Sequence, residues 1–111
     1  MNLRLLLTGA VIPLALLAGR PAMAAAADPM ADAFTQAASK YEVPRDLLVS
    51  VAYSETHLDG HKGQPSASGG YGVMHLVTSK TLDRAATLTK KPASALKSDD
   101  AANIAGGAAV L

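Results

Sequence analysis

Residues 60–72 constrain the fold of this chain more than any other segment, because they contain five glycines, one proline and two serines. Such a composition favours turns over a continuous helix. We therefore expect a loop with a short irregular hairpin here. Helical patterns lie on both sides of it, so the predicted fold is mainly α, with helices around a short glycine-rich hairpin.

Two amphipathic helices are predicted before the glycine-rich segment. The first begins at Asp28, an N-cap acceptor followed by Pro29 at the first helical position, and it ends before Pro44. The second begins at Pro44 and is expected to stop at Gly60. Its apolar stripe, at spacings of three and four, contains Leu47, Leu48, Val51, Ala52, Glu55 and Leu58.

Three further helical segments are predicted after it. Ser79 is expected to cap the first, Pro92 to start a short turn, and Ser98 and Asp99 to begin the last. Their apolar residues are Leu82, Ala85, Ala86, Leu88, Leu96, Ile104, Ala108 and Leu111. Residues 104–111 carry no helix stop, so we expect a fold that is incomplete at the C-terminus.

The N-terminus has the pattern of an export signal. Arg4 is followed by an apolar run at residues 5–17 and by small residues around a cleavage position at residues 22–24. The run is too short for a membrane-spanning helix, which needs about 20 apolar residues. We expect residues 1–24 to be a signal peptide and the mature chain to be secreted, with no membrane span.

The charge of the mature chain argues against a polyanionic partner. Removal of Arg4 and Arg20 leaves eight basic residues against nine acidic ones, so the formal charge changes from +1 to −1. No basic cluster exceeds the pair Lys90 and Lys91, and nucleic-acid binding is not expected. The chain has no cysteine, so packing alone must stabilise it.

The place of Glu55 within an apolar stripe makes it a candidate catalytic residue. A buried carboxyl loses solvation, which favours the neutral acid, and the nearby helix C-terminus acts in the same direction. We expect it to hold a proton near neutral pH, as a general acid that cleaves a glycosidic bond must. The alternative is that Glu55 lies at the stripe's margin, reaches solvent or a backbone amide, and has no catalytic role.

Three motifs follow one another along the chain. They are residues 41–48 (Tyr-Glu-Val-Pro-Arg-Asp-Leu-Leu) before 52–56 (Ala-Tyr-Ser-Glu-Thr), residues 69–76 (Gly-Gly-Tyr-Gly-Val-Met-His-Leu), and residues 99–107 (Asp-Asp-Ala-Ala-Asn-Ile-Ala-Gly-Gly). In this order they resemble the superfamily of soluble lytic transglycosylases and goose-type lysozymes. The resemblance covers residues 31–111 and implies an α+β lysozyme-like fold that acts on peptidoglycan.

By this resemblance, Glu55 matches the catalytic acid, which protonates the glycosidic oxygen and then acts as base while the sugar's own 6-hydroxyl attacks the anomeric carbon. The resemblance also implies that Tyr71, Met74 and His75 shape the substrate cleft, and that neither a cofactor nor a second carboxylate is needed. Thr56 stands where the family has serine, and His75 stands where it has glutamine.

A closer resemblance is to exported bacterial N-acetylmuramoyl-L-alanine amidases that carry a lysozyme-like region directly after the signal peptide. It lies in residues 63–76 and 81–86. In such proteins a zinc-dependent amidase domain follows downstream. The family's Ala-Tyr-Asn segment is absent here, so residues 25–111 are predicted to be one lysozyme-like module that is truncated.

The leading hypothesis is a secreted module of a cell-wall lytic protein that cleaves or binds the glycan strands of peptidoglycan. The alternative is a non-catalytic module that binds glycan and targets a downstream amidase domain, which the histidine at position 75 favours. A weaker alternative is a metal-dependent hydrolase built on His57, His61 and His75. A phosphate-binding loop is disfavoured, because no lysine and hydroxyl pair follows the glycines at residues 69–72.

Overall fold

The computed structural model describes residues 27–111, and the predicted signal peptide at residues 1–24 lies outside the described residues. The helices are Pro29–Lys40 (α1), Arg45–Thr56 (α2), Thr81–Thr89 (α3), Ala93–Ser98 (α4) and Asp100–Val110 (α5), and the strands are Gly70–Tyr71 (β1) and Leu76–Val77 (β2). A 3-10 turn at His61–Gly63 lies between α2 and β1. The described part of the chain is therefore mainly α, as predicted. Within it, no helix is long and apolar enough to cross a membrane.

The start of α1 follows the prediction. The Asp28 carboxylate accepts a hydrogen bond from the Ala31 N–H at 3.1 Å, and Pro29 is the first helical residue. The helix closes before Pro44, where the Tyr41 N–H donates to the Ala37 carbonyl at 3.0 Å. The buried residues of α1 are Phe34, Ala37 and Ala38.

The helix α2 begins after Pro44, as predicted, but its buried face is narrower than the predicted stripe. The buried residues are Leu48, Ala52 and Thr56, which recur every fourth position. Leu47 is 51% exposed. A single i, i+4 row faces the core because α2 packs mainly against α1 and leaves its other side to solvent.

The end of α2 also differs from the prediction. The helix stops at His57, which adopts a left-handed backbone with φ of 56° and donates its N–H to the Tyr53 carbonyl at 2.9 Å. Leu58 is left-handed too, with φ of 67°. Gly60 has an ordinary φ of −79°, so it is not the residue that ends the helix.

The predicted hairpin is confirmed. Strands β1 and β2 are antiparallel, with Gly70 opposite Val77 and Tyr71 opposite Leu76. Residues 72–75 form the turn between them, and the His75 N–H closes it by donating to the Gly72 carbonyl at 3.0 Å. The turn lies between the C-terminal end of α2 and the side of α5, which is what positions the site described below.

The start of α3 lacks the side-chain cap that was predicted. Ser79 does not supply a side-chain cap; instead its N–H donates to the Asp83 carboxylate at 3.2 Å. The Thr81 hydroxyl accepts from the Val77 N–H at 2.9 Å, which joins the helix to β2. The Asp83 carboxylate thus binds an N–H that precedes the helix and fixes the chain entering α3.

The helix α5 lies at the centre of the core and packs against α1, α3 and α4. It begins as predicted, because the Asp99 carboxylate accepts from the Ala101 N–H at 3.1 Å. The core residues are Phe34, Ala37, Ala38, Leu48, Ala52, Val73, Met74, Leu76, Leu82, Ala85, Leu96, Ala102, Ile104 and Ala108. Leu88 and Leu111 are exposed, since Leu88 lies on the outer face of α3 and Leu111 follows the last helical turn.

Candidate functional site

Glu55 lies in the last turn of α2, and its side chain is exposed. The prediction that the apolar stripe buries it is therefore wrong. Successive helix residues are rotated by about 100°, and the core takes Ala52 and Thr56, so Glu55 lies one position away at the margin. The alternative of a side chain at the margin of the stripe that reaches solvent matches the structure.

Thr56, the next residue, connects α2 to the hairpin turn. Its hydroxyl donates to the Val73 carbonyl at 2.8 Å and lies 3.0 Å from the Ala52 carbonyl. The side chain is buried, so water does not compete strongly for these contacts. The bond to Val73 fixes the distance between the Glu55 end of α2 and the turn that faces it.

Asn103 on α5 anchors the same turn from the opposite side. It is 1% exposed, and its side-chain oxygen accepts from the Met74 N–H at 2.8 Å. Its side-chain NH2 group donates to the Tyr71 carbonyl at 2.9 Å and to the Leu96 carbonyl at 2.7 Å. One buried amide thus satisfies three backbone groups and joins the hairpin, α4 and α5.

Two glycines allow the turn to pack this closely. Gly72 has φ of 70°, and a Cβ placed there would overlap the Asn103 side chain. Gly107 on α5 faces Met74, and a Cβ there would lie 2.5 Å from the Met74 Cγ. The hairpin turn therefore lies directly against the backbone of α5, which a larger residue at either position would prevent.

Two depressions in the surface meet at Glu55 and His75. The first, called the apolar groove, has a volume of about 300 Å³ and is lined by Val51, Glu55, Met74, His75, Leu76, Val77, Lys80, Thr81, Gly107, Val110 and Leu111. The second, called the polar cleft, has a volume of about 460 Å³ and is lined by Glu55, Thr56, His57, His61, Ser66, Ala67, Ser68 and His75. Glu55 and His75 form the rim between them.

His75 is held in an uncommon conformation at this rim. Its backbone is left-handed, with φ of 54°, and its ring packs over Gly70, where a Cβ would overlap it. The ring Nε2 lies 3.3 Å from the Ser68 hydroxyl, while Nδ1 is buried without a hydrogen-bond partner among the described residues. His75 therefore offers the polar cleft one ring nitrogen that a ligand could share with Ser68.

The predicted cleft residues are only partly brought together. Met74 lies in the floor of the apolar groove, and His75 borders both depressions. Tyr71 borders neither, and the Lys97 ammonium lies 4.6 Å from the centre of its ring. The structure therefore does not place the Tyr71 ring in the cleft beside Glu55.

Among the described residues, Glu55 is the single carboxylate that lines either depression. Asp59, one turn beyond it in sequence, accepts from the His61 N–H at 2.8 Å and shapes the loop after α2. Asp83 is bound to the Ser79 N–H at the start of α3. Carboxylate chemistry at this site would therefore have to use Glu55 for both the acid and the base step.

His57, His61 and His75 all line the polar cleft, but they do not form a metal site. The metal hypothesis requires His57 and His61 to share one face of a helix. Since α2 ends before His57, they do not. Within residues 27–111 no group of three or more histidine, aspartate or glutamate side chains is arranged to hold a metal ion.

Sequence analysis did not identify Lys80, Val51 or Val110 as site residues. They come from three different elements, and no local motif marks them. Comparison with family models, curated proteins and solved structures finds no match to this chain.

Proposed function

We propose that this chain is a secreted, lysozyme-like peptidoglycan hydrolase module that binds glycan strands across the rim between the polar cleft and the apolar groove. The observation that carries the proposal is the position of Glu55. It is the carboxylate at the junction of both depressions, and it faces a turn that Thr56 and Asn103 hold in place. A strand crossing this rim would bring a glycosidic oxygen to the carboxyl.

The exposure of Glu55 in the free protein is compatible with this role. A bound sugar would cover the carboxyl and exclude water from it, which favours its neutral form. The acid then gives its proton to the glycosidic oxygen as the bond to the anomeric carbon breaks. The resulting carboxylate takes the proton of the sugar's own 6-hydroxyl while that oxygen bonds to the anomeric carbon, which regenerates the acid and leaves a 1,6-anhydro end.

The exposure of Glu55 also favours a second candidate function, a module that binds glycan without cleaving it. The polar cleft offers hydroxyl and imidazole groups from Ser66, Ser68 and His61, which can exchange hydrogen bonds with sugar hydroxyls. In this case the chain would target the wall for an associated N-acetylmuramoyl-L-alanine amidase.

Replacement of Glu55 by Gln tests the first function against the second. Digests of purified peptidoglycan would be analysed by mass spectrometry, with Glu42→Gln as the control because Glu42 is an exposed glutamate after α1. We expect 1,6-anhydro ends from the protein and from the Glu42 variant, and none from the Glu55 variant. Equal release by all three would exclude Glu55 from the reaction, and wall binding without release would support the binding module.

A further inference from the structure

Of the four phenylalanine and tyrosine residues in the chain, Tyr53 on α2 is the one whose ring is exposed. Phe34 is 2% exposed and belongs to the core, whereas Tyr53 is 56% exposed. Tyr41 and Tyr71 are partly buried, and a lysine ammonium lies 5.5 Å from the ring centre of the first and 4.6 Å from that of the second. Tyr53 is therefore the ring whose apolar surface is open to a ligand.

The surface around Tyr53 is polar. Residues three and four positions apart are neighbours on a helix, and the exposed ones beside Tyr53 are Ser50 and His57. A single ring among small polar side chains makes a poor protein interface, which needs a contiguous apolar patch at its centre. It suits a sugar, because the C–H groups of a sugar ring form a small apolar face that is surrounded by hydroxyl groups.

His57 joins Tyr53 to the polar cleft. The two rings are in edge-to-face contact, with their centres 4.8 Å apart and their planes at 73°. The His57 N–H also donates to the Tyr53 carbonyl at 2.9 Å, so backbone and ring contacts hold the pair together. His57 lines the polar cleft, whereas Tyr53 does not. The aromatic pair therefore begins at the cleft and continues beyond it along α2.

The aromatic pair and the apolar groove lie on different sides of α2. Glu55 follows Tyr53 by two positions, which is a rotation of about 200° around the helix. Glu55 lines the apolar groove together with Val110 and Leu111, so Tyr53 lies on the other side of α2 from the end of α5. A strand that passes Glu55 and fills the polar cleft would thus leave the cleft past His57 and reach Tyr53.

Resting on the proposed function, we infer that Tyr53 and His57 form a further sugar-binding position for a long glycan strand, in which one sugar ring packs on the Tyr53 side chain. The face of the tyrosine ring carries partial negative charge, which attracts the C–H groups of the sugar. The phenol and the imidazole can exchange hydrogen bonds with its hydroxyl groups. Because this position lies beyond the reacting atoms, Tyr53 selects long strands over short ones and takes no part in bond cleavage.

The probes are the disaccharide and the hexasaccharide of N-acetylglucosamine, titrated by isothermal calorimetry into Glu55→Gln protein so that no cleavage shortens them. We expect Tyr53→Ala to weaken hexasaccharide binding about fivefold, the loss typical of one aromatic contact. Disaccharide binding, for which the polar cleft suffices, should not change. Tyr53→Phe keeps the ring and should retain most of the affinity. Leu47→Ala is the matched control, because Leu47 lies on the same helix and is 51% exposed, and it should bind both probes normally.

The outcomes separate the failure of this inference from the failure of the proposed function. A loss of hexasaccharide affinity in Tyr53→Ala, with Tm and disaccharide binding unchanged, supports the inference. Hexasaccharide binding that Tyr53→Ala does not alter overturns it and leaves the proposed function intact. Binding of neither probe also overturns it, and the peptidoglycan digests then decide whether the proposed function fails as well.

Two further outcomes assign the exposed ring to a different role. A lower Tm in Tyr53→Ala, with both probes weakened equally, shows that the ring stabilises the end of α2 and overturns the inference. A concentration-dependent dimer that Tyr53→Ala and Leu47→Ala both weaken, with hexasaccharide binding unaffected, assigns this face of α2 to a second copy and also overturns it.

Discussion

The turn at residues 72–75 and the loop at residues 57–69 both line the polar cleft, and they are held in different ways. The turn is fixed by buried side chains from α2 and α5, because Thr56 and Asn103 bind the backbone of Val73 and Met74. The loop is held mostly by short-range bonds, such as the Gly69 N–H to the Ser66 carbonyl at 2.9 Å. The buried contacts that stabilise the site are therefore concentrated at the turn, whereas the polar side chains of the loop are left exposed to the cleft.

The largest expected effect comes from removing the anchor of the turn. Asn103→Ala removes the side-chain partner of two buried groups, the Met74 N–H and the Leu96 carbonyl, and a third, part-buried bond to the Tyr71 carbonyl. Each costs about 1–3 kcal/mol, so we expect the free energy of unfolding to fall by about 4 kcal/mol in urea titrations. The matched change in the loop, Ser66→Ala, removes the acceptor of the Gly70 N–H at 3.2 Å and the contact with the Ser68 hydroxyl at 3.3 Å. Neither contact is fully buried, so the change should cost about 1 kcal/mol or less. Similar losses for the two variants would contradict the contrast between turn and loop.

A second comparison uses two glycines with positive φ. Gly72 in the turn has φ of 70° and lies against Asn103, whereas Gly69 in the loop has φ of 86° and nothing within 4 Å of a Cβ built there. Gly69→Ala should cost about 1 kcal/mol, the penalty of a left-handed backbone. Gly72→Ala should cost about 3 kcal/mol because it also displaces the anchor. Thermal unfolding would measure both, and equal shifts in Tm would mean that Asn103 moves aside without loss.

A smaller effect is expected for the bond between α2 and the turn. Thr56→Val keeps the shape of the side chain but removes the hydroxyl bound to Val73, so we expect a loss of about 1.5 kcal/mol in urea titrations. Thr87→Val is the control, because the Thr87 hydroxyl is exposed and donates only to the Asp83 carbonyl of the same helix. Thr56→Ser, which restores the hydroxyl, should recover most of the loss. No recovery would show that packing of the methyl group, and not the bond, stabilises the contact.

Local rules predicted the elements of the fold well. Asp28 and Asp99 cap their helices as their positions before helical stretches indicated, and the glycine-rich segment forms the predicted hairpin. These features depend on residues within a few positions of one another, so a single sequence contains the information.

Features that depend on distant contacts were not predictable in the same way. Asn103 binds residues 29 and 32 positions away, and nothing in its own helix indicates those partners. In α2, adjacent apolar residues such as Leu47 and Leu48 left the buried face ambiguous by one position. The contact of Thr56 with Val73 selects the face, and the same selection leaves Glu55 exposed.

In the candidate site too, some residues lie where the motifs indicated, and others are displaced by contacts with distant parts of the chain. Glu55, Met74 and His75, which the motifs single out, line the same depression, and their role in binding or cleaving glycan stays a prediction. Tyr71 lies elsewhere because β1 turns its side toward α4, where Lys97 covers the ring. The signal peptide, the lysozyme-like fold and the action on peptidoglycan remain predictions, and the peptidoglycan digests test the last of them.

The placement of Glu55 immediately before Thr56 makes the length of α2 critical. Insertion of one residue into this helix ahead of position 55 would turn everything after it by about 100° and bring the carboxylate to the core, where the threonine now binds the hairpin. A one-residue insertion in the loop at residues 64–68 would leave both the Thr56 bond to Val73 and the position of Glu55 unchanged. We therefore expect one-residue insertions to unfold or inactivate the protein when they fall in α2, and to be tolerated when they fall in the loop at residues 64–68.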